Sequence, residues 1–162
     1  MPRRGAAVDA VVVGVLMAAV LSIFDDTFAD RSYLVAGMVP VVLLIAFASW
    51  TSRLHEGGWW FTLGALVMFA PLGSWAALRE PGPYVLPTAS TMSGLLADTI
   101  RAPTTLVSTV PPVEPSGSVM LVPFLVGFLA AMPAAWLALS TARPLAPAVP
   151  IVLALAATIP LG

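Results

Sequence analysis

Five long apolar runs leave this 162-residue chain few ways to fold: Ala6 to Phe24, Tyr33 to Trp50, Trp59 to Leu78, Val119 to Leu139, and Ala146 to Gly162. Crossing about 30 Å of hydrocarbon takes about 20 mainly apolar residues at about 1.5 Å of rise each, so every run is a candidate membrane span. In lipid each backbone N–H and C=O must be bonded within the segment, and no run alternates polar with apolar residues as a barrel strand would. The expected fold is therefore all-α, a polytopic transmembrane helix bundle with five spanning helices, residues 1–162 forming one transmembrane domain. Composition supports this: 59% of residues are hydrophobic and 9% charged, against about 25% charged in soluble domains. A soluble core could not hide so much apolar surface, and the lipid bilayer becomes the main partner.

Several function classes fall away at once. All seven basic residues are Arg, and no cluster of them could track a phosphate backbone, which argues against a nucleic-acid partner. With no Cys there is no thiolate nucleophile, disulfide or Cys-based metal site, and the redox compartment is left open. No cofactor is implied. The start, "MPRRGAAVDAVVVGVLMAAVLS", resembles a signal peptide. It closes on "IFDD" with no small-x-small site, and four more apolar runs follow, so it is read as the first span.

Arg3, Arg4, Arg53 and Arg143 fall on one side of the spans, and Arg31, Arg79 and Arg101 on the other. The pair just before the first run tips the positive-inside rule toward a cytoplasmic N-terminus. The expected location is a plasma (cytoplasmic) membrane, crossed several times. Between the third and fourth runs lies a connection from Arg79 to Ser118, longer than the roughly 12 to 15 residues usual for structureless loops. Its stretch "TASTMSGLLADTIRA" puts Met92, Leu95, Leu96 and Ile100 on one helical face. A short extracytoplasmic surface helix is expected there, capped by Thr88, Ser90 or Thr91 and ending at Pro103. "VPPVEPSG" then reads as a stiff, extended return to the fourth span.

The densest charge lies in "SIFDDTFADRS", where Asp25, Asp26, Asp30 and Arg31 could hold a cation or form an acid/base pair. A turn at the membrane surface needs the same polarity, because charge at the bilayer midplane costs about 2.5 to 3.5 kcal/mol, and the turn is the favoured reading. Asp9, just inside the first span, is an intramembrane candidate. Its place in the first helical turn also suits the positive end of the helix dipole. The single histidine, His55, has no second ligand or nucleophile near it in sequence and reads as a connector residue. No catalytic or metal-ligating set emerges. Small residues recur every four positions at Ala10, Gly14, Ala18 and Ser22 and at Gly127, Ala131 and Ala135, a spacing that lets helices pack closely within the bundle or across a homodimer. Pro40, Pro71, Pro123 and Pro133 fall within spans, as in the broken helices of transporters, but no inward-facing polar residues accompany them.

The order of "LSIFDDTF", "YVLPTASTMSGLLADTIRA", "VSTVPPVEPSGSVMLVPFLVGFLAAMPAAWLAL" and "ARPLAPAVPIVLAL" resembles the N-terminal membrane region of the bacterial transglutaminase-like TgpA family, over nearly the whole chain. The resemblance implies a membrane bundle followed by an extracytoplasmic domain with a Cys-His-Asp triad, encoded in many members beside a MoxR-type ATPase. None of that triad maps onto this sequence. The expectation is a non-catalytic domain that anchors, and would position, a transglutaminase-like domain beyond residue 162, with a small transporter or channel subunit as the alternative.

Overall fold

The computed structural model describes residues 6–52, 58–78, 89–108, 112–114, 117–140 and 145–159. Six helices follow in order: α1 (Ala6–Leu21), α2 (Ser32–Thr51), α3 (Gly58–Leu78), α4 (Ala89–Ser108), α5 (Leu121–Ser140) and α6 (Ala148–Thr158). Short 3-10 turns at Ser22–Asp26 and Gly117–Met120 extend α1 and lead into α5. No strand occurs among the described residues; the one extended pairing is an isolated bridge between Phe28 and Val113. The all-α expectation holds.

Three helical stretches, Val8–Asp26, Ser32–Thr51 and Ser118–Ala138, are long and apolar enough to cross a membrane. Several of their hydroxyls bond back to their own helix. Ser49 donates to the Ile45 carbonyl at 2.8 Å, Thr51 to Phe47 at 3.0 Å, and Ser22 to Ala19 at 2.7 Å. Each such bond removes a donor that lipid could not satisfy.

α5 is the axis of the bundle and packs against all five other helices. Its spanning stretch is 67% buried, against 28% for α1 and 39% for α2. α2 is its principal neighbour, and the two cross where a Cβ on Gly127 would overlap the carbonyl oxygen of Gly37. A Cβ on Gly37 would in turn press on the Leu21 side chain at 2.6 Å and approach the Pro123 carbonyl oxygen at 3.1 Å. Lipid tails are as apolar as Leu, so this contact is held by close van der Waals packing rather than by water exclusion. Rings then fill the sides: Phe69, Phe124 and Phe128 join α3 to α5 at centroid distances of 5.1 to 5.7 Å, and Phe47 meets Phe61 between α2 and α3 at 5.9 Å.

The two ends of the bundle are well defined. Ala10 and Val13 of α1 border one small space with Ile45 and Ser49 of α2 and Ala135 and Ala138 of α5. The start of α1 and the ends of α2 and α5 therefore share one end. Exposed Trp50, Trp59, Trp60 and Trp136 lie toward that end, and Trp75 toward the other. Trp is enriched at both membrane interfaces.

Three expectations need correction. The surface helix is not short: α4 has 20 residues and continues past Pro103 to Ser108. A proline costs a helix one N–H and crowds the turn before it. Here Thr104 and Thr105 donate to the Arg101 carbonyl at 2.7 and 3.0 Å, and Ser108 to Thr105 at 2.9 Å, so hydroxyls supply local bonds along the last turns. The buried face also differs. It is formed by Leu95, Ala102 and Leu106, while Ile100 is 78% exposed; the side chains of Met92 and Leu96 lie outside the described residues. Finally, the last run is helical over 11 described residues, Ala148–Thr158, which rise only about 16 Å.

Gly127→Ala should cost about 1 to 3 kcal/mol of stability for forcing a methyl group against backbone, read as a lower midpoint of thermal unfolding in detergent. Gly14→Ala is the control, since a Cβ there meets nothing within 4 Å, and its midpoint should stay level or rise.

Candidate functional site

The polar stretch between the first two runs folds into a small cap at the end of the bundle opposite the chain start. α1 tightens into its 3-10 turn, and Thr27 and Phe28 both donate their amides to the Phe24 carbonyl at 3.1 Å. That turn swings Phe24 and Phe28 inward onto Tyr33 at the start of α2. The three rings are buried, with Phe28 and Tyr33 stacked at 5.3 Å and Phe24 edge-on to both at 6.2 and 6.4 Å. Such pairs contribute about 0.5 to 1.5 kcal/mol each beyond area burial.

Asp25 belongs to this structure. The Tyr33 hydroxyl donates to Asp25 Oδ1 at 3.0 Å, and Arg31 Nε lies 3.6 Å from the same oxygen. The tyrosine bond is the stronger restraint, because the Arg31 and Asp25 side chains are 79% and 51% exposed and exposed ion pairs contribute at most about 1 kcal/mol. Asp26 and Asp30 are exposed. Ser32 Oγ, next to the ring cluster, is buried without a hydrogen-bond partner among the described residues.

A second segment closes the cap. Val113 donates its amide to the Thr27 carbonyl at 2.8 Å and accepts the Ala29 amide at 3.1 Å, so the stretch after α4 is stitched to the first turn. Glu114, exposed, follows directly. Asp25, Asp26, Asp30, Arg31 and Glu114 are thus gathered at one end, but no group of three or more His, Asp or Glu side chains fit to hold a metal ion occurs among the described residues. The arrangement braces a turn.

The remaining candidates are dispersed. Asp9 is half-buried in the first turn of α1, far along the helix from the cap. His55 lies outside the described residues. Of the small-residue stripes, Gly127, Ala131 and Ala135 are buried on α5. In α1 the stripe is not packed within the bundle at Gly14, where a Cβ would meet nothing within 4 Å, or at exposed Ser22, and Ala10 and Ala18 are half-buried. The face α1 does bury is Val13, Met17, Val20 and Leu21. Two apolar recesses flank the bundle, one of about 570 Å³ between α2 and α3 beside Trp50 and Trp60, the other of about 560 Å³ between α4, α5 and α6.

Sequence reasoning located the charges but not Tyr33, Phe24, Phe28 or Val113. A signal was present: Phe24 and Phe28 stand four apart, one helical turn, interleaved with the aspartates, which marks a turn with its own buried side. Nothing local points to Val113. No family profile, curated protein or solved structure matches the chain.

Tyr33→Phe should cost about 1 kcal/mol of stability by removing the bond to Asp25. Tyr33→Ala should cost about 3 to 5 kcal/mol by emptying the ring cluster. Asp26→Asn combined with Asp30→Asn should change stability by no more than about 0.5 kcal/mol. Thermal unfolding in detergent checks all three.

Proposed function

We propose that the chain is a non-catalytic, multi-pass membrane domain of a bacterial cytoplasmic membrane that anchors and positions an extracytoplasmic domain. The observation that carries this reading is the bundle's interior. Among the described residues the buried side chains are apolar apart from Thr27, Ser32, Thr51 and Thr158. The last two spend their hydroxyls on their own helices, Thr158 donating to Leu155 at 2.9 Å. A transport pathway needs ionisable or amide groups in the bundle interior. An apolar, tightly crossed bundle suits a scaffold.

On this reading α1, α2, α3 and α5 cross the bilayer, the described part of α6 reaches about halfway through it, and α4 lies at the extracytoplasmic interface. The side assignment follows from charge. By sequence Arg3, Arg4, Arg53 and Arg143 belong to the chain-start end and Arg31, Arg79 and Arg101 to the cap end, and the Arg pair directly before α1 decides the side. The N-terminus is then cytoplasmic, and the cap, braced by its rings and by the Phe28 to Val113 bridge, faces outward as a firm base. That the anchored domain is transglutaminase-like and lies beyond residue 162 rests on the resemblance to the TgpA membrane region. A MoxR-type ATPase as a partner of the whole protein rests on the same ground.

The absence of Cys gives a clean test of topology. In intact cells Glu114→Cys should react with a membrane-impermeant thiol reagent, and Ser52→Cys should be shielded until the membrane is opened. Equal labelling of both, or the reverse order, would sink the assignment. Saturable uptake of a solute by liposomes carrying the purified protein would instead favour a small transporter or channel subunit.

A further inference from the structure

We infer that Ser32 is a latent N-cap, and that the first turn of α2 is a two-state latch held in its present register by the strap at Val113. Ser32 is 7% exposed, and its Oγ has no hydrogen-bond partner among the described residues. A buried hydroxyl left unpaired has lost water without replacing it. The residue that does stand at the N-cap of α2, Arg31, makes no side-chain cap bond. Its guanidinium carries donors only, so it can make none. Serine is among the best residues for that position, because its Oγ accepts the amide two or three residues on. The helix therefore begins one residue before the side chain suited to cap it.

Moving the start by one residue repairs both defects with local changes. The Leu34 amide now donates to the Arg31 carbonyl at 3.0 Å. With Ser32 at the N-cap, Leu34 and Val35 become the second and third helical residues, whose amides a capping Oγ reaches. The Leu34 amide then exchanges one acceptor for another, and the carbonyl of Arg31, an exposed residue, turns to water. Tyr33 stays helical in both registers and keeps its place among the rings. The residues that move are Asp30 and Arg31.

Two contacts oppose the shift. Ala29 donates to the Val113 carbonyl at 3.1 Å and Val113 to the Thr27 carbonyl at 2.8 Å, which pins the chain three residues before Ser32. Arg31 Nε also lies 3.6 Å from Asp25 Oδ1, but that pair is exposed and weak. The strap is the stronger restraint. It is also narrow, because in the run "PPVEP" only Val113 and Glu114 carry an amide to donate. An extended segment that pairs with residues 27–29 in place of Val113 would free Asp30 and Arg31 and let Ser32 close the cap. The latch thus turns the state of one short pairing into a change of position of an acidic and a basic side chain at the end of the bundle.

The test is a double-mutant cycle on the full chain, read as the midpoint of thermal unfolding in detergent. In the intact chain Ser32→Ala should leave the midpoint level or raise it, because the hydroxyl removed has no partner. Val113→Pro releases the strap by deleting its amide, and Ala29→Pro does so independently from the other side. In either released chain Ser32→Ala should lower the midpoint by several degrees, because it now removes a cap. A nitroxide on Asp30→Cys, in a chain otherwise free of Cys, should gain a second, more mobile spectral component on release and lose it again with Ser32→Ala. A Ser32→Ala effect of the same sign in intact and released chains, or none in the released ones, would overturn the latch. So would a nitroxide spectrum indifferent to Ser32→Ala. Failure of both released chains to fold would overturn it as well, since a latch must survive its own opening.

Discussion

Two helices reach backbone contact only where neither carries a side chain, and α2 meets α5 at such a place, Gly37 against Gly127. In water a crossing of this kind would be one contribution among many, with apolar burial worth roughly 25 cal/mol per Å² carrying most of the load. Between lipid-solvated helices that term nearly vanishes, and contact quality decides which faces meet. The Gly37 to Gly127 approach sets the depth at which α2 lies on α5. Leu21 and Pro123 then pack against Gly37, and the rings of Phe69, Phe124 and Phe128 fill the space toward α3.

From that crossing the bundle divides into a thin half and a braced half. Toward the chain start, helices are separated by small residues such as Ala10, Ala135 and Ala138, and Trp side chains point outward. Toward the cap, Phe24, Phe28 and Tyr33 form a second, aromatic cluster with its own hydrogen bonds. The charges there are fixed by what lies beneath them. Asp25 is held because Tyr33 is buried, whereas Asp26 and Asp30 stand exposed.

The helices were legible in the sequence because lipid leaves the backbone no alternative, so apolar length alone identified α1, α2, α3 and α5 to within a few residues. Facing was far less legible. Periodicity placed Ile100 on the apolar arc of α4, but that arc is wider than the contact it makes, and the bundle took the Leu95, Ala102 and Leu106 side. Pro103 looked like a stop because a proline ends most helices, yet nearby hydroxyls supply local bonds that accompany its continuation. Gly14 and Gly37 are alike as letters. Which one meets a neighbour depends on the tertiary crossing, which no four-residue spacing encodes. At the candidate site, the polar character of the turn could be read, but its partner Val113 could not, because nothing local ties residues so far apart.

The Phe28 to Val113 bridge also constrains the order of events during synthesis. Three helices separate its two residues, so the first turn must live through the making of α2, α3 and α4 before its edge is covered. Pairings between distant segments form late, since the chain must first give up the freedom of the intervening loop. Until Val113 arrives, the ring cluster, the tyrosine bond and the turn's own backbone bonds keep the α1 to α2 turn closed. The bridge thus acts as a completion seal, available only to a chain that has already placed its first four helices.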